Sequence, residues 1–247
     1  MKKDQISILL HPQEDIGDFI MFTGLVRYLA TTEKLKFIIL KQYKETIQLH
    51  YNDIENIEYI VIEKYEKSDV ITQLLHQSLR NIKKRHIIGI FDIFRLDKYK
   101  GVYTNQKNPN EIYSLYGFDP EIMKSFFKVN RNIQKEESIL KNIFMISKTD
   151  FSIFTSCEHI PTRYKINCFG IYLDKMFSKL LFMHSICIVE VSKRIYLYSS
   201  SKFTLFIYLM HHKYNVCNDK QVVVVNDNNP DSYVFTLNYP DDWTISD

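Results

Sequence analysis

The stretch Glu14–Leu40, EDIGDFIMFTGLVRYLATTEKLKFIIL, decides the architecture of this chain. A compact apolar run, Ile6–Leu10, precedes it, and a second, Phe37–Leu40, closes it. Between the two, Phe19, Phe22, Leu25, Val26 and Leu29 recur at spacings of three and four, which is one face of a helix. The stretch therefore reads as strand, helix, strand, with the helix spanning Asp18 to Thr32. Asp18 stands where the first strand has ended and the helix begins, and two readings of it are open. It is a good N-cap, since its carboxylate can accept backbone N–H bonds from the first turn. It is also placed to face a ligand, because open α/β sheets bind ligands beyond the carboxyl ends of their strands. Gly17 would let the backbone turn tightly just before it.

The alternation continues in both directions along the chain. Tyr43–Tyr51 reads as a short helix, Tyr59–Ile62 as a strand, and Ile87–Phe91 as another strand. Ser68 can cap a helix carrying Val70, Ile71, Leu74, Leu75 and Leu79. Short apolar strands alternating with helices imply a parallel sheet covered on both faces, so the first half is Rossmann-like. Asp92–Pro109 is polar and loop-like; Asn110–Tyr116 and Pro120–Phe126 are short helical segments, and Asn132–Phe144 is a helix. The domains divide as 1–130 and 131–247. In the second half Phe151–Thr155 is a strand, Ser156–Cys168 a loop, Lys175–Ser192 helical in part, and Arg194–Tyr198 a strand. Ser199, Ser200 and Ser201 then open a helix, Lys202–His211, with Phe203, Phe206, Ile207 and Met210 along one face. Gln221–Val225 is a buried strand, Tyr233–Leu237 a further one, and Trp243 sits in the tail. The expected fold class is α/β, two small Rossmann-like lobes.

Composition narrows the function classes. The chain has 247 residues, 45% of them hydrophobic and 25% charged, which is ordinary globular usage. A net charge of +3, with both signs interspersed, is too weak for nucleic acid as the main partner. The small basic cluster Lys83–His86 reads as a solvated helix end. Cys157, Cys168, Cys187 and Cys217 form no CxxC pair and no zinc-finger spacing; they read as free thiols in a reducing compartment. His211 and His212 with Cys217 do not supply three or four converging ligands, so no metal is expected. Cys157 and His159 share a loop without an oxyanion glycine, a poor nucleophile pair. The N-terminal apolar run is too short for a signal peptide, and Leu180–Val189 falls well short of the roughly 20 residues that span a bilayer. A soluble, cytoplasmic protein without a transmembrane segment is expected.

The string GDFIMFTGLVRYLA, Gly17–Ala30, followed by KFIIL, resembles the opening of the heptosyltransferase group, glycosyltransferase family 9. That group has the GT-B fold, two Rossmann-like lobes facing across a cleft. Thr23, Gly24 and Arg27 match its first helix. The resemblance implies that Asp18 is the general base on an acceptor hydroxyl, and that Gly17, Thr23 and Arg27 lie on the acceptor side. RNIQKEESIL (Arg131–Leu140) and LLFMHSICIVEVSKRIYLYSSSKFTLFIYL (Leu180–Leu209) are similar to tracts of small glycosyltransferase-like proteins of giant viruses, which would put the protein in host cytoplasm. The implied activity is transfer of a sugar from a nucleotide-sugar donor to a glycan or other hydroxyl acceptor, without a metal and with no cofactor besides the donor. Ser199, Ser200 and Ser201 then either cap their helix or cradle the diphosphate. Arg163 and Lys165, in the loop TRYK, either assist the diphosphate or are ordinary surface cations. Glu190 either holds the donor ribose or faces solvent. The chain departs from these families in three places. Tyr198 stands where the viral relatives carry an acid, SSSKF has neither the glycine nor the histidine of the heptosyltransferase turn, and the Ser156–Cys168 loop lacks a glycine-rich signature. Two alternatives stay open: a non-catalytic nucleotide-sugar or glycan-binding protein derived from such an enzyme, and a structural protein of a virus particle.

Overall fold

The structure, a computed structural model, describes residues 6–10, 16–63, 87–89, 113–114, 117–146, 151–156, 158–165, 169–177, 183–227 and 237–246. The helix expected after Ser68, the Lys83–His86 cluster, the 92–109 loop, Cys157, Cys168 and most of the expected 233–237 strand lie outside the described residues. The described residues up to Phe126 form one compact unit and those from Phe127 onward a second.

The first unit is built on four parallel strands: β1 (Ile6–Leu10), β2 (Lys34–Leu40), β3 (Ile57–Ile62) and β4 (Ile87–Gly89), in the order β3-β2-β1-β4. Leu9 pairs with Phe37, and Phe37 with Tyr59. β2 is buried along Phe37–Leu40, as a strand covered on both faces must be. The strands grow outward from β1 to one side through β2 and β3 and to the other through β4. The topological switch point is therefore between β1 and β4. β1 feeds α1 (Ile16–Ala30), and a 3-10 turn (Lys41–Tyr43) with α2 (Lys44–His50) joins β2 to β3.

The first helix begins two residues earlier than the sequence suggests. Asp18 is its third residue, not its cap, and Gly17 lies inside the first turn. A carboxylate is as favourable in the first turn as at the cap, because both positions meet the positive end of the helix dipole; the residue type did not fix the boundary. α1 is apolar nearly all round: Phe19, Ile20, Met21, Phe22, Leu25, Val26 and Leu29 are all buried. Such a helix needs cover on more than its sheet side. α3 (Glu121–Ser125) supplies part of it, meeting α1 at Gly24. Beside that contact the buried Tyr113 hydroxyl donates to Met21 O at 2.7 Å and accepts from Leu25 N–H at 3.2 Å, bridging one rung of the α1 ladder.

The second unit carries α4 (Ile133–Ile146) and five parallel strands: β5 (Phe151–Phe154), β6 (Phe169–Tyr172), β7 (Arg194–Tyr198), β8 (Gln221–Val225) and β9 (Thr244–Ser246). Their order is β6-β5-β7-β8-β9. The chain starts in the middle at β5, steps out to β6, then crosses back to β7, so this switch point lies between β5 and β7. α5 (Leu173–Met176) and α6 (Ile186–Val191) separate β6 from β7, and α7 (Lys202–Tyr214) joins β7 to β8. One register row runs Tyr172, Phe154, Tyr196, Val223, Thr244. Its rings stack, Phe154 on Tyr196 at 4.9 Å and on Tyr172 at 5.1 Å. A Cβ at Gly170 would come within 2.8 Å of the Phe154 ring, so the glycine in β6 makes room for this layer. The sequence reading missed β6 and β9. It left Trp243 in the tail, whereas the structure buries it against His211 and Tyr239.

Candidate functional site

The carboxyl edge of the second sheet, at its switch point, gathers a group of hydroxyls around one carboxylate. β5 ends into Thr155 and Ser156, β7 into Ser199–Ser201, β8 into Asn226 and Asp227, and β9 at Ser246. Thr155, fully buried, ties β5 to β7: its N–H donates to Tyr196 O at 3.0 Å and its Oγ1 accepts from Tyr198 N–H at 2.8 Å. Thr204 Oγ1, from the first turn of α7, donates to Tyr198 O at 2.7 Å. Ser201 is the N-cap of α7, accepting from Phe203 N–H at 3.3 Å, and its Oγ also donates to Thr155 O at 3.2 Å. Ser199 Oγ accepts from Asp227 N–H at 2.8 Å, and Ser200 Oγ donates to Asp227 Oδ2 at 2.7 Å.

All three serine side chains therefore bond to protein, and together they fasten the ends of β5, β7 and β8. Tyr198 is held above its ordinary pKa, chiefly because it has lost solvent and then because the Asp227 carboxylate accepts from it. The exposed His159 ring stacks on Tyr198 at 4.6 Å, and its Nδ1 meets Ser156 Oγ at 2.9 Å.

Arg163 reaches the same edge. It lies in the 3-10 turn Thr162–Tyr164, and its Nη2 donates to Ser246 Oγ at 3.2 Å. The Tyr164 hydroxyl meets the same Ser246 Oγ at 2.8 Å. That hydrogen bond first, and the Arg163 charge after it, lower the Tyr164 pKa. Lys165 closes the turn through its backbone, its N–H donating to Thr162 O at 2.8 Å. Glu190 goes elsewhere. It sits on α6, ahead of β7, and Lys220 Nζ, just ahead of β8, donates to Glu190 O and to Ser192 O, both at 2.8 Å. This is the amino edge of the sheet. The Glu190 carboxylate takes a two-pronged bond from Arg131 (2.7 and 2.8 Å), which also binds the buried Glu136. Five residues of β7 separate Glu190 from the serine turn, about 17 Å at strand rise.

In the first unit, α1 places Asp18 at the carboxyl end of β1, beside the β1–β4 switch. Thr23 and Arg27 are packed away from it. Thr23 is buried, its Oγ1 donating to Phe19 O at 3.0 Å and lying 3.4 Å from His50 Nε2. Arg27 is buried too, its Nη1 on both Asp53 oxygens (3.1 and 2.9 Å), its Nη2 on His50 O at 2.8 Å, and its guanidinium over the Tyr51 ring. Burial drives the Tyr51 phenol well above its ordinary range and the Tyr59 phenol up to about 12. A cleft of about 640 Å³, lined in part by Arg27, Asp53 and Asn56, opens beside the amino ends of β2 and β3. Arg27 lies nine helical steps, about 13 Å, along α1 from Asp18. The guanidinium thus clamps α1 to the 50–53 turn. Asp53→Ala leaves it buried without its carboxylate and is expected to cost about 2–3 kcal/mol in urea unfolding; a change below roughly 0.5 kcal/mol, the range of ordinary surface substitutions, would show the clamp to be dispensable.

Among the described residues no group of three or more His, Cys, Asp or Glu is placed to hold a metal, and no helix is long and apolar enough to cross a membrane. Cys187 and Cys217 are free and buried, and burial pushes both thiols up to about 12. His211 Nδ1 accepts from Cys217 N–H at 3.4 Å. The sequence reading missed Thr155, Asp227 and the His159–Tyr198 stack. A signal for Asp227 existed: it is the second residue after the buried strand QVVVV, at a carboxyl strand end.

No family model matches the sequence, and no curated protein matches it. Two solved structures are similar over nearly the whole chain. One is E. coli heptosyltransferase WaaC with ADP-2-deoxy-2-fluoro heptose, at 9% identity and a TM-score of 0.41, covering 98% of this chain and 92% of that one. The other is E. coli heptosyltransferase WaaC with ADP, at 8% identity and a TM-score of 0.35, covering 91% and 88%. A likeness this low carries no function across.

Proposed function

We propose that the protein is a glycosyltransferase of the GT-B plan, moving a sugar from a nucleotide-sugar donor to a hydroxyl acceptor. The observation that supports it is the pair of switch points. Each unit has an all-parallel sheet that reverses direction once, and each carries chemistry-bearing residues at that carboxyl edge. The first has Asp18 after β1; the second has the Thr155, Ser199–Ser201 and Asp227 group. The pattern of Gly17–Ala30 points the same way.

In this reading Asp18 takes the proton of the acceptor hydroxyl. The acceptor oxygen bonds to the anomeric carbon, and the bond from that carbon to the diphosphate oxygen breaks, its electron pair leaving with the nucleoside diphosphate. The positive end of the α7 dipole stabilises the developing charge, with Arg163 and Lys165 adding to that stabilisation, while the N–H groups of Ser201, Phe203 and Thr204 already donate within the turn. The serine hydroxyls shape the turn, since each already has a protein partner. Thr23, Arg27 and Glu190 have structural parts instead. That same engagement of the serines favours a second reading, binding of a nucleotide sugar or glycan without transfer.

A thermal-shift screen with UDP-, GDP- and ADP-sugars, paired with a nucleotide-release assay, separates the two. Transfer predicts that at least one donor raises the melting temperature by about 5 °C near a hundredfold excess over Kd and releases nucleotide when an acceptor is present. A shift without release supports the binding reading. No shift with any donor sinks both.

A further inference from the structure

Asp227 belongs to the end of β8, yet its carboxylate is fixed onto the turn after β7. Ser200 Oγ donates to Oδ2 at 2.7 Å, and Asp227 N–H donates to Ser199 Oγ at 2.8 Å. Ser199 is buried and Asp227 half-buried, and these two bonds tie Asp227 to the turn. Tyr198 is the residue just before this turn. The β7–β8 pairing, Tyr198 opposite Val225, brings Asp227 beside this turn.

This placement sets two fields against one another. The start of α7 carries the partial positive charge of its helix dipole. Beside it, hydrogen-bonded to Ser200, stands the Asp227 carboxylate. A phosphate group bound here is attracted by the first and repelled by the second, and the repulsion grows with the charge on the phosphate.

We propose that Asp227 sets the charge selectivity of this edge, weakening its hold on a free nucleoside diphosphate relative to the intact nucleotide sugar, so that the spent product leaves. This rests on the donor-binding reading above. In the donor each phosphate carries one ester and the shared anhydride bridge, leaving each a single ionisation. Once the glycosyl bond has broken, the terminal phosphate keeps only the anhydride bridge and ionises a second time near pH ~6. The product is thus more negative than the donor at neutral pH, while its nucleoside is unchanged. A fixed carboxylate at the edge is a simple way to tell the two apart without contacting the nucleoside.

The test is calorimetric titration of the full chain with matched pairs, a UDP-, GDP- or ADP-sugar and the corresponding diphosphate. It uses wild type, Asp227→Asn and Asp227→Glu, with melting curves for each. Wild type is expected to bind the sugar-bearing ligand more tightly than its diphosphate. Asp227→Asn should tighten the diphosphate by about fivefold or more, the gain expected from removing one charge at roughly 4 Å in a water-like dielectric. The nucleotide sugar should change less, so the preference shrinks. Asp227→Glu keeps the charge and should keep the preference. An Asn variant with the wild-type ratio overturns the proposal, as does a Glu variant that behaves like Asn, since geometry and not charge would then be at work. Should the Asn variant fail to fold, the salt dependence of wild type decides: the preference must shrink as salt screens the carboxylate, and a salt-independent ratio overturns the proposal. Wild type that binds both ligands while failing these tests defeats this inference alone; wild type that binds neither defeats the donor-binding reading with it.

Discussion

A Gly24→Ala chain is expected to unfold about 3 kcal/mol more easily than wild type. The sign is informative, because in an isolated helix the same change would stabilise by about 1 kcal/mol. What reverses it is the backbone of α3. A Cβ at position 24 would lie 2.5 Å from Met123 O, 2.8 Å from Ile122 O and 2.8 Å from Met123 Cα. These are main-chain atoms of a short helix, and they cannot rotate out of the way as a side-chain tip would. Relief requires α3 to move off α1, and cores resist such shifts by 1–3 kcal/mol, occasionally more. The displacement would also strain the Tyr113 bridge between Met21 O and Leu25 N–H, one residue away. Urea unfolding followed by circular dichroism measures the difference, and a stabilised alanine variant would show that α3 does not rest on Gly24.

Asp18→Asn should fold like wild type and lose transfer by a factor of about 100 or more, the range for removing a general base. Asparagine keeps the shape of the side chain and gives up its charge and basicity. The structural loss is small: a carboxylate in the first turn of a helix contributes about 0.3–1 kcal/mol through the dipole. Activity and stability therefore separate cleanly at this residue. The comparison is nucleotide release by the two proteins with the donor found in the screen, alongside their melting curves. Equal turnover removes Asp18 from the base role and leaves it as a favourable first-turn residue.

The parts of the site that sequence revealed are those that depend on local chain order. Ser199–Ser201 follow a strand and open a helix, so their place at a carboxyl edge could be read directly, and Ser201 is the cap expected of it. Arg163 was placed by a loop after a strand, and it does reach the edge at Ser246. Glu190 was offered to the donor ribose by the family resemblance, as a carboxylate on the helix before RIYLY, with a solvent-facing place as the alternative. A residue on the helix ahead of a strand arrives at the amino edge, however, and that is where Lys220 and Arg131 hold it. Asp227 was passed over for the opposite reason: it lies 27 residues beyond Ser200 and comes beside it through β7–β8 pairing. Arg27 shows the same limit in the first unit, since the resemblance put it on the acceptor side and its partners, Asp53 and His50 O, come from a turn more than twenty residues on.

By itself, the sequence determined the class of the fold and most of its elements. Strands buried on both faces must be continuous apolar runs, and QVVVV, RIYLY and KFIIL announce themselves on that ground alone. It did not determine the edges: β6 contains a glycine and β9 is three residues long, and each is a strand because a neighbour offers it a ladder of hydrogen bonds. Tertiary structure alone decided the strand orders, and with them the two switch points, and it alone decided which polar groups are struts and which stand at an edge. The physical reason is range. Periodicity, capping and burial are written into a few neighbouring residues, whereas a carboxylate's partner is set by which strands lie side by side, and that is chosen by the packing of the whole sheet.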